Sequence, residues 1–250
     1  HAEFIKLNYP ILYLEARYEK DITNLLKDSL KLLKNYKRIG LVSSVQHIHQ
    51  LLDVKKLLEK EGKKVIIPEK KGFAFYDGQV LGCEYNSLKV IAKDVEVFLC
   101  IGNNFHALGA ALSVKQPVIL LDPYNEEVSS MDSLKNKIIK QRAALLAKAK
   151  EANTFGVIIG LKPGQKFGSF SSITDKLKKF GKKCVLISMN EITNDKLVNL
   201  YGIEVFVELA CPRIAIEDVA RFGRPILTAR EFAVLVGDIK WEDLLEKGFL

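Results

Sequence analysis

The chain has 250 residues, 48% hydrophobic and 27% charged, with a formal net charge of +8. That is material for one large domain or two moderate ones, each with a core of its own. No apolar run reaches the roughly 18–20 residues needed to cross a bilayer, no secretory signal opens the chain, and the scattered lysines form no known nucleic-acid motif. The first residues, His1-Ala2-Glu3, lack an initiating Met, and Pro10-Ile11-Leu12-Tyr13-Leu14 reads like the later Pro117-Val118-Ile119-Leu120-Leu121. Residues 1–18 are therefore expected to be the tail of a missing first unit. Ile22 to Tyr36 predicts a helix, Arg38–Val42 a strand and Val65-Ile66 another, with Gln46-His47-Ile48-His49-Gln50 near a helix start. Val95–Leu99 is a buried strand, followed by an Ala-rich helix over Ala107–Ser113 and a strand from Pro117. Lys135 to Lys150 is an amphipathic helix that opens a second unit.

From there the chain repeats itself. Val95-Glu96-Val97-Phe98-Leu99 returns 108 positions later as Ile203-Glu204-Val205-Phe206-Val207, and Pro117-Val118-Ile119-Leu120 as Pro225-Ile226-Leu227-Thr228. With small gaps, Arg38–Val42 matches Phe155–Ile159, and Glu61-Gly62-Lys63-Lys64 matches Phe180-Gly181-Lys182-Lys183. Each unit then runs strand, helix, strand, helix, strand, short helix, strand. Short apolar strands alternating with helices imply right-handed βαβ units and parallel sheets. The expected class is α/β, a tandem repeat of similar parallel-sheet βαβ domains, with two present at 19–125 and 126–250 after the tail of a missing first one. A period this long indicates an array of domains rather than a solenoid.

Ligands of parallel sheets gather at the carboxyl ends of strands. Three segments fall there: Gly102-Asn103-Asn104-Phe105-His106, Ala210-Cys211-Pro212-Arg213 and Leu161-Lys162-Pro163-Gly164-Gln165. Cys211 occupies the repeat position of Asn103 and precedes a helix-starting Pro, where amides and dipole favour a thiolate. Cys83 follows Gly78-Gln79-Val80-Leu81-Gly82, whose glycines permit a tight path; a site thiol and a packing thiol both fit. Cys100 and Cys184 lie inside apolar strands and read as small buried hydrophobes. His106 fits a site residue or a helix-start hydrogen-bonder. Arg213 fits a carboxylate clamp or a surface ion pair. His47 and His49 are weak metal candidates with no third ligand nearby. The absence of CxxC, GxxxxGK[ST], GxGxxG and GxSxG argues against a zinc knuckle, a triphosphatase, a dinucleotide site and a serine hydrolase.

The segments Gly78-Gln79-Val80-Leu81-Gly82-Cys83 and Ala210-Cys211-Pro212-Arg213-Ile214-Ala215-Ile216-Glu217-Asp218 resemble the second and third cysteine motifs of the archaeal diphthamide synthase family, as do Gly102–His106 and Asp122-Pro123-Tyr124. The resemblance implies three related α/β domains, each giving one Cys to a [4Fe-4S] cluster whose open iron binds S-adenosylmethionine. It implies transfer of a 3-amino-3-carboxypropyl radical to a histidine of translation elongation factor 2, the first step of diphthamide biosynthesis. Cys83 and Cys211 would be cluster ligands, Gln165 and Arg213 would contact S-adenosylmethionine, and Asn103 and His106 would line the pocket. A cytoplasmic homodimer served by an unidentified electron donor follows from the same resemblance, and the first ligand Cys would lie outside this chain. Two other classes stay open: a non-catalytic partner subunit, and a metal-free two-domain small-ligand binder. Quinolinate synthase shares the three-domain plan but not these motifs.

Overall fold

Apolar strands buried on both faces alternate with helices in a computed structural model that describes residues 10, 12, 14–162, 165, 168–217 and 221–250. The N-terminal unit contains α1 (Thr23–Leu33), β1 (Arg38–Ser43), a 3-10 turn (Val45–Gln50), α2 (Leu51–Lys60), β2 (Lys64–Ile66), α3 (Asn86–Ile91), β3 (Val97–Ile101), α4 (Asn104–Ser113), β4 (Val118–Asp122) and β5 (Glu127–Ser130). Its sheet has the order β2-β1-β3-β4-β5, parallel from β2 to β4. Alternate residues of β1 and β3 enter two cores: Ile39, Leu41 and Leu99 on one face, Val42, Phe98 and Cys100 on the other.

The long helix α5 (Asp132–Lys150) leads into β6 (Thr154–Gly160), α6 (Phe170–Lys179), β7 (Lys183–Met189), α7 (Asn194–Val198), β8 (Val205–Glu208), α8 (Pro212–Glu217), β9 (Ile226–Thr228), α9 (Ala229–Leu235) and α10 (Trp241–Lys247). This second sheet is parallel throughout, in the order β7-β6-β8-β9. It repeats the path of β2-β1-β3-β4, and the repeat extends to single atoms. Glu96 accepts the amides of Lys37 and Arg38 at the start of β1, and Glu204 accepts those of Asn153 and Thr154 at the start of β6. The Phe98 and Phe206 amides each donate to a proline carbonyl, Pro117 and Pro225, at 2.9 Å. A Cβ on Gly40 would come within 2.5 Å of the Phe98 ring, and one on Gly156 within 2.7 Å of Phe206. Both glycines exist so that an aromatic ring can lie flat on the central strand.

Three details differ from the sequence expectation. The compact units divide between Asn136 and Lys137, inside α5, rather than after residue 125. The reason is β5, a short polar strand that turns back and pairs antiparallel with β4, Asp122 opposite Glu127 and Leu121 opposite Val128. Glu246–Gly248 and Leu250 also belong with the N-terminal unit. The supposed tail, 1–18, lies mostly outside the described residues. Its last two belong with the N-terminal unit, where the Arg17 guanidinium donates to the Val45 carbonyl at 2.8 Å and Tyr18 stacks on Tyr124. Cys184 is partly exposed because β7 is an edge strand, with Val185 and Leu186 also open to solvent.

The C-terminal unit holds a fully buried ion pair. Arg142 of α5 places Nε and Nη2 on the two carboxylate oxygens of Glu231 at 2.6 and 2.5 Å. Its Nη1 donates to the Ala215 carbonyl of α8 at 2.6 Å, and Nη2 also reaches the Ile226 carbonyl of β9 at 2.7 Å. Glu231 in turn closes a capping box with Thr228 at the start of α9. One guanidinium thus ties α5, α8, β9 and α9 together, and each of its three nitrogens donates to a carboxylate or a carbonyl. Arg142→Met strands the Glu231 carboxylate in the core and should cost about 3–5 kcal/mol. Urea unfolding followed by the single Trp, Trp241, measures this. Lys31→Met, which breaks the exposed pair with Asp28, should cost under about 1 kcal/mol in the same assay.

Candidate functional site

In the N-terminal unit, the chain beyond β2 runs back alongside the end of β1. Ser43 accepts from Val80 and donates to Gly78, both at 2.9 Å, and Ser43 bridges to Gln79 in parallel sense. Gly78 turns with φ +74, where a side chain would be strained. The buried Gln79 side chain accepts the Phe75 and Tyr76 amides and fixes this loop. Leu81 and Glu84 then bridge antiparallel, leaving Gly82-Cys83 as the two-residue tip of a tight turn. A Cβ on Gly82 would meet the Phe105 ring at 2.5 Å, so this glycine lets the Cys83 turn sit against the start of α4. Cys83 is half-buried and in no disulfide.

That helix start is where Asn103 and His106 lie. Asn103 is the N-cap of α4: its Oδ1 accepts the His106 amide, and His106 Nδ1 lies 2.8 Å from the same oxygen. The pair therefore caps the helix, and both side chains remain half-buried at the edge that carries Cys83.

In the C-terminal unit, β8 ends at Glu208 and the chain passes through buried Leu209 and Ala210 to half-buried Cys211, directly before α8. Glu208 is only 1% exposed, and its Oε2 accepts the amides of both Ala210 and Cys211 at 2.9 Å. Burial pushes its pKa up to about 7, against the pull of those two amides. Burial also pushes the Cys211 thiol up, opposed first by the Arg213 amide at the start of α8. Arg213 is 4% exposed and paired with Glu217 one turn on, whose side chain is 25% exposed, so the guanidinium is buried while its partner reaches solvent. Gln165 lines a cleft of about 350 Å³ with Lys162, Met189, Glu191, Thr193 and Ile214, at the carboxyl ends of β6, β7 and β8.

The fold thus gathers Cys83, Asn103 and His106 on one sheet edge, and Cys211, Arg213 and Gln165 on the corresponding edge of the other unit. Cys100 is fully buried, and burial pushes its thiol up to about 12. His47 is fully buried between Tyr18 and Tyr124. Among the described residues no three His, Cys, Asp or Glu side chains group to hold a metal ion. Glu208, Arg142 and Glu231 were missed by sequence reasoning. The one available signal was an acid at the end of the apolar run Val205-Phe206-Val207-Glu208-Leu209-Ala210. As donors, Cys83 and Cys211 suit an iron–sulfur cluster: each is an undisulfided thiol on a turn at a strand's carboxyl edge. Such thiolates are the usual ligands of these clusters.

A repeated parallel α/β unit with a thiol turn at each carboxyl edge is the class these features define. The chain belongs to the diphthamide synthesis family, whose model (Diphthamide_syn) matches residues 1–245. It is 34% identical over 236 residues to 2-(3-amino-3-carboxypropyl)histidine synthase of Pyrococcus horikoshii, covering 93% of this chain and 67% of that protein. It is 30% identical over 241 residues to subunit 1 of the human synthase, covering 94% of this chain and 53% of the relative. The crystal structure of Dph2 from Pyrococcus horikoshii with a 4Fe-4S cluster superposes with a TM-score of 0.79 at 34% identity, covering 90% of this chain and 64% of that one. The chain therefore spans between about half and two-thirds of these relatives.

If the Asn103 side chain serves as a cap, Asn103→Ala should lower stability by about 1 kcal/mol and Asn103→Asp should retain most of it. Thermal melts of the two variants at neutral pH decide this.

Proposed function

We propose that this chain is part of an enzyme that transfers the 3-amino-3-carboxypropyl group of S-adenosylmethionine to a histidine of translation elongation factor 2. Membership of a family whose named relatives are synthases of that modified histidine carries the reading. The two thiol turns support it. When bound, a [4Fe-4S] cluster supplies the electron that cleaves S-adenosylmethionine by radical chemistry.

The chain's own residues have defined parts in this reading. Cys83, at the tip of a two-residue turn, and Cys211, ahead of α8, are the thiolate ligands. Gln165 lines the cleft that would take part of S-adenosylmethionine. Arg213 holds its carboxylate through the guanidinium, in exchange for Glu217. Asn103 and His106 form the wall beside Cys83. The enzyme works as a cytoplasmic homodimer of archaeal type, with an electron donor outside the chain. No helix among the described residues is long and apolar enough to cross a membrane.

In the full-length protein reconstituted with iron and sulfide without oxygen, Cys83→Ala or Cys211→Ala should abolish the cluster. Iron per chain and the visible absorption measure it; iron content equal to the parent's in either variant removes that ligand. Cys100→Ala should leave iron unchanged and cost about 1 kcal/mol of packing. Arg213→Ala should weaken S-adenosylmethionine binding by roughly 1.5–3 kcal/mol by calorimetry; unaltered affinity takes Arg213 out of the site. A partner subunit without catalysis would instead form the cluster and leave S-adenosylmethionine intact.

A further inference from the structure

Glu208 has no part in the activity proposed above, yet it is an acid buried at that edge. A carboxyl group that is 1% exposed loses almost all its hydration. Its neighbours do not neutralise it. Arg142, a buried cation whose charge acts on it, directs both arms of its fork to Glu231. What Glu208 holds instead is backbone: one oxygen, Oε2, accepts the Ala210 and Cys211 amides together.

The repeat provides an internal control. The position of Glu208 in the N-terminal unit is occupied by Cys100, fully buried and apolar in its surroundings. The position of Cys211 is occupied there by Asn103, whose own side chain caps the following helix. The fold therefore makes this strand-to-helix turn without an acid beneath it. The acid occurs in the unit whose turn carries a thiol that cannot cap as Asn103 does.

We propose that Glu208 is a positioning residue for Cys211, its carboxylate oxygen gathering the two amides that precede Pro212 so that the sulfur is held outward at a fixed angle. Pro212 has no amide of its own to contribute. With the Ala210 and Cys211 amides turned inward, only amides from α8 onward are left near the sulfur. Hydrogen bonds to cluster sulfurs are among the levers that set cluster potential, so Glu208 also fixes how many the sulfur receives. The inference rests on Cys211 being a cluster ligand.

Two variants separate reach from charge. Glu208→Gln keeps an acceptor oxygen at the same distance and loses the carboxylate. Glu208→Asp keeps the carboxylate and draws it back by one methylene, out of reach of both amides. In the reconstituted full-length protein, Glu208→Gln should release iron to a chelator at the parent's rate. Glu208→Asp should release it about 10–100-fold faster, the range for loss of a group that orients a metal ligand. Its midpoint potential should also rise as the freed amides turn to the sulfur. Equal behaviour of the two variants, or loss in Glu208→Gln with retention in Glu208→Asp, overturns the proposal. A parent protein that takes up no cluster, or a Cys211→Ala variant that keeps one, overturns the assignment of Cys211 and this inference with it.

Discussion

A parallel strand packed on both faces has no place for a polar side chain except at its ends. That constraint organises this protein. β1, β3, β4, β6 and β8 are close to uniformly apolar and buried, so chemistry is displaced to the loops that leave their carboxyl ends. Asn103, Cys211 and Gln165 lie in such loops, and Cys83 lies in the loop after β2, which runs alongside the carboxyl end of β1. Cys100 shows the converse: the same thiol inside a strand is sealed from solvent, and its proton is held far more tightly than in water.

The same architecture built twice accepts two different kinds of turn. In the N-terminal unit the loop after β3 is closed by an Asn side chain that caps its helix, and the thiol arrives separately on a tight turn braced by Phe105. In the C-terminal unit the thiol itself takes the capping position, and a buried carboxylate below it takes over the backbone amides. The Arg142–Glu231 pair lies behind that turn and anchors α8 through a carbonyl. Rigid support under a loop ligand is what lets a loop hold a metal with defined geometry.

Most strands and the repeat were readable from sequence because the strands are short apolar runs, some preceded by Gly-Lys-Lys or Pro, and because the offset of 108 holds at two of them while others match with small gaps. The carboxyl edges followed from the same logic, so the segments holding Asn103, His106, Cys211 and Gln165 were legible, while Cys83 stood out through its flanking glycines and the motif around it. β5 was not, since four residues of mixed polarity resemble a loop until β4 offers them a partner. The unit boundary moved with it. Cys184 was misjudged because an apolar strand looks the same at the edge of a sheet as at its centre. The buried network was invisible because Arg142, Ala215, Ile226 and Glu231 come from four separate elements. Gly82 was visible as a glycine, but its reason, the ring of Phe105, lies twenty-odd positions away.

The return of Glu246–Gly248 and Leu250 to the N-terminal unit bears on how the chain is made. Lys89 donates to the Leu250 carbonyl at 2.6 Å. Gly248, at φ +83, lies so close to Ser113 that a Cβ would fall 2.5 Å from its carbonyl oxygen. Leu250 packs on the core that contains Val42 and Phe98. The N-terminal unit is therefore completed by residues that follow the second unit in sequence, and its flank stays open until those residues have been synthesised. Domains of this kind usually fold in order as they emerge, and here the residues that close the earlier unit emerge behind the later one.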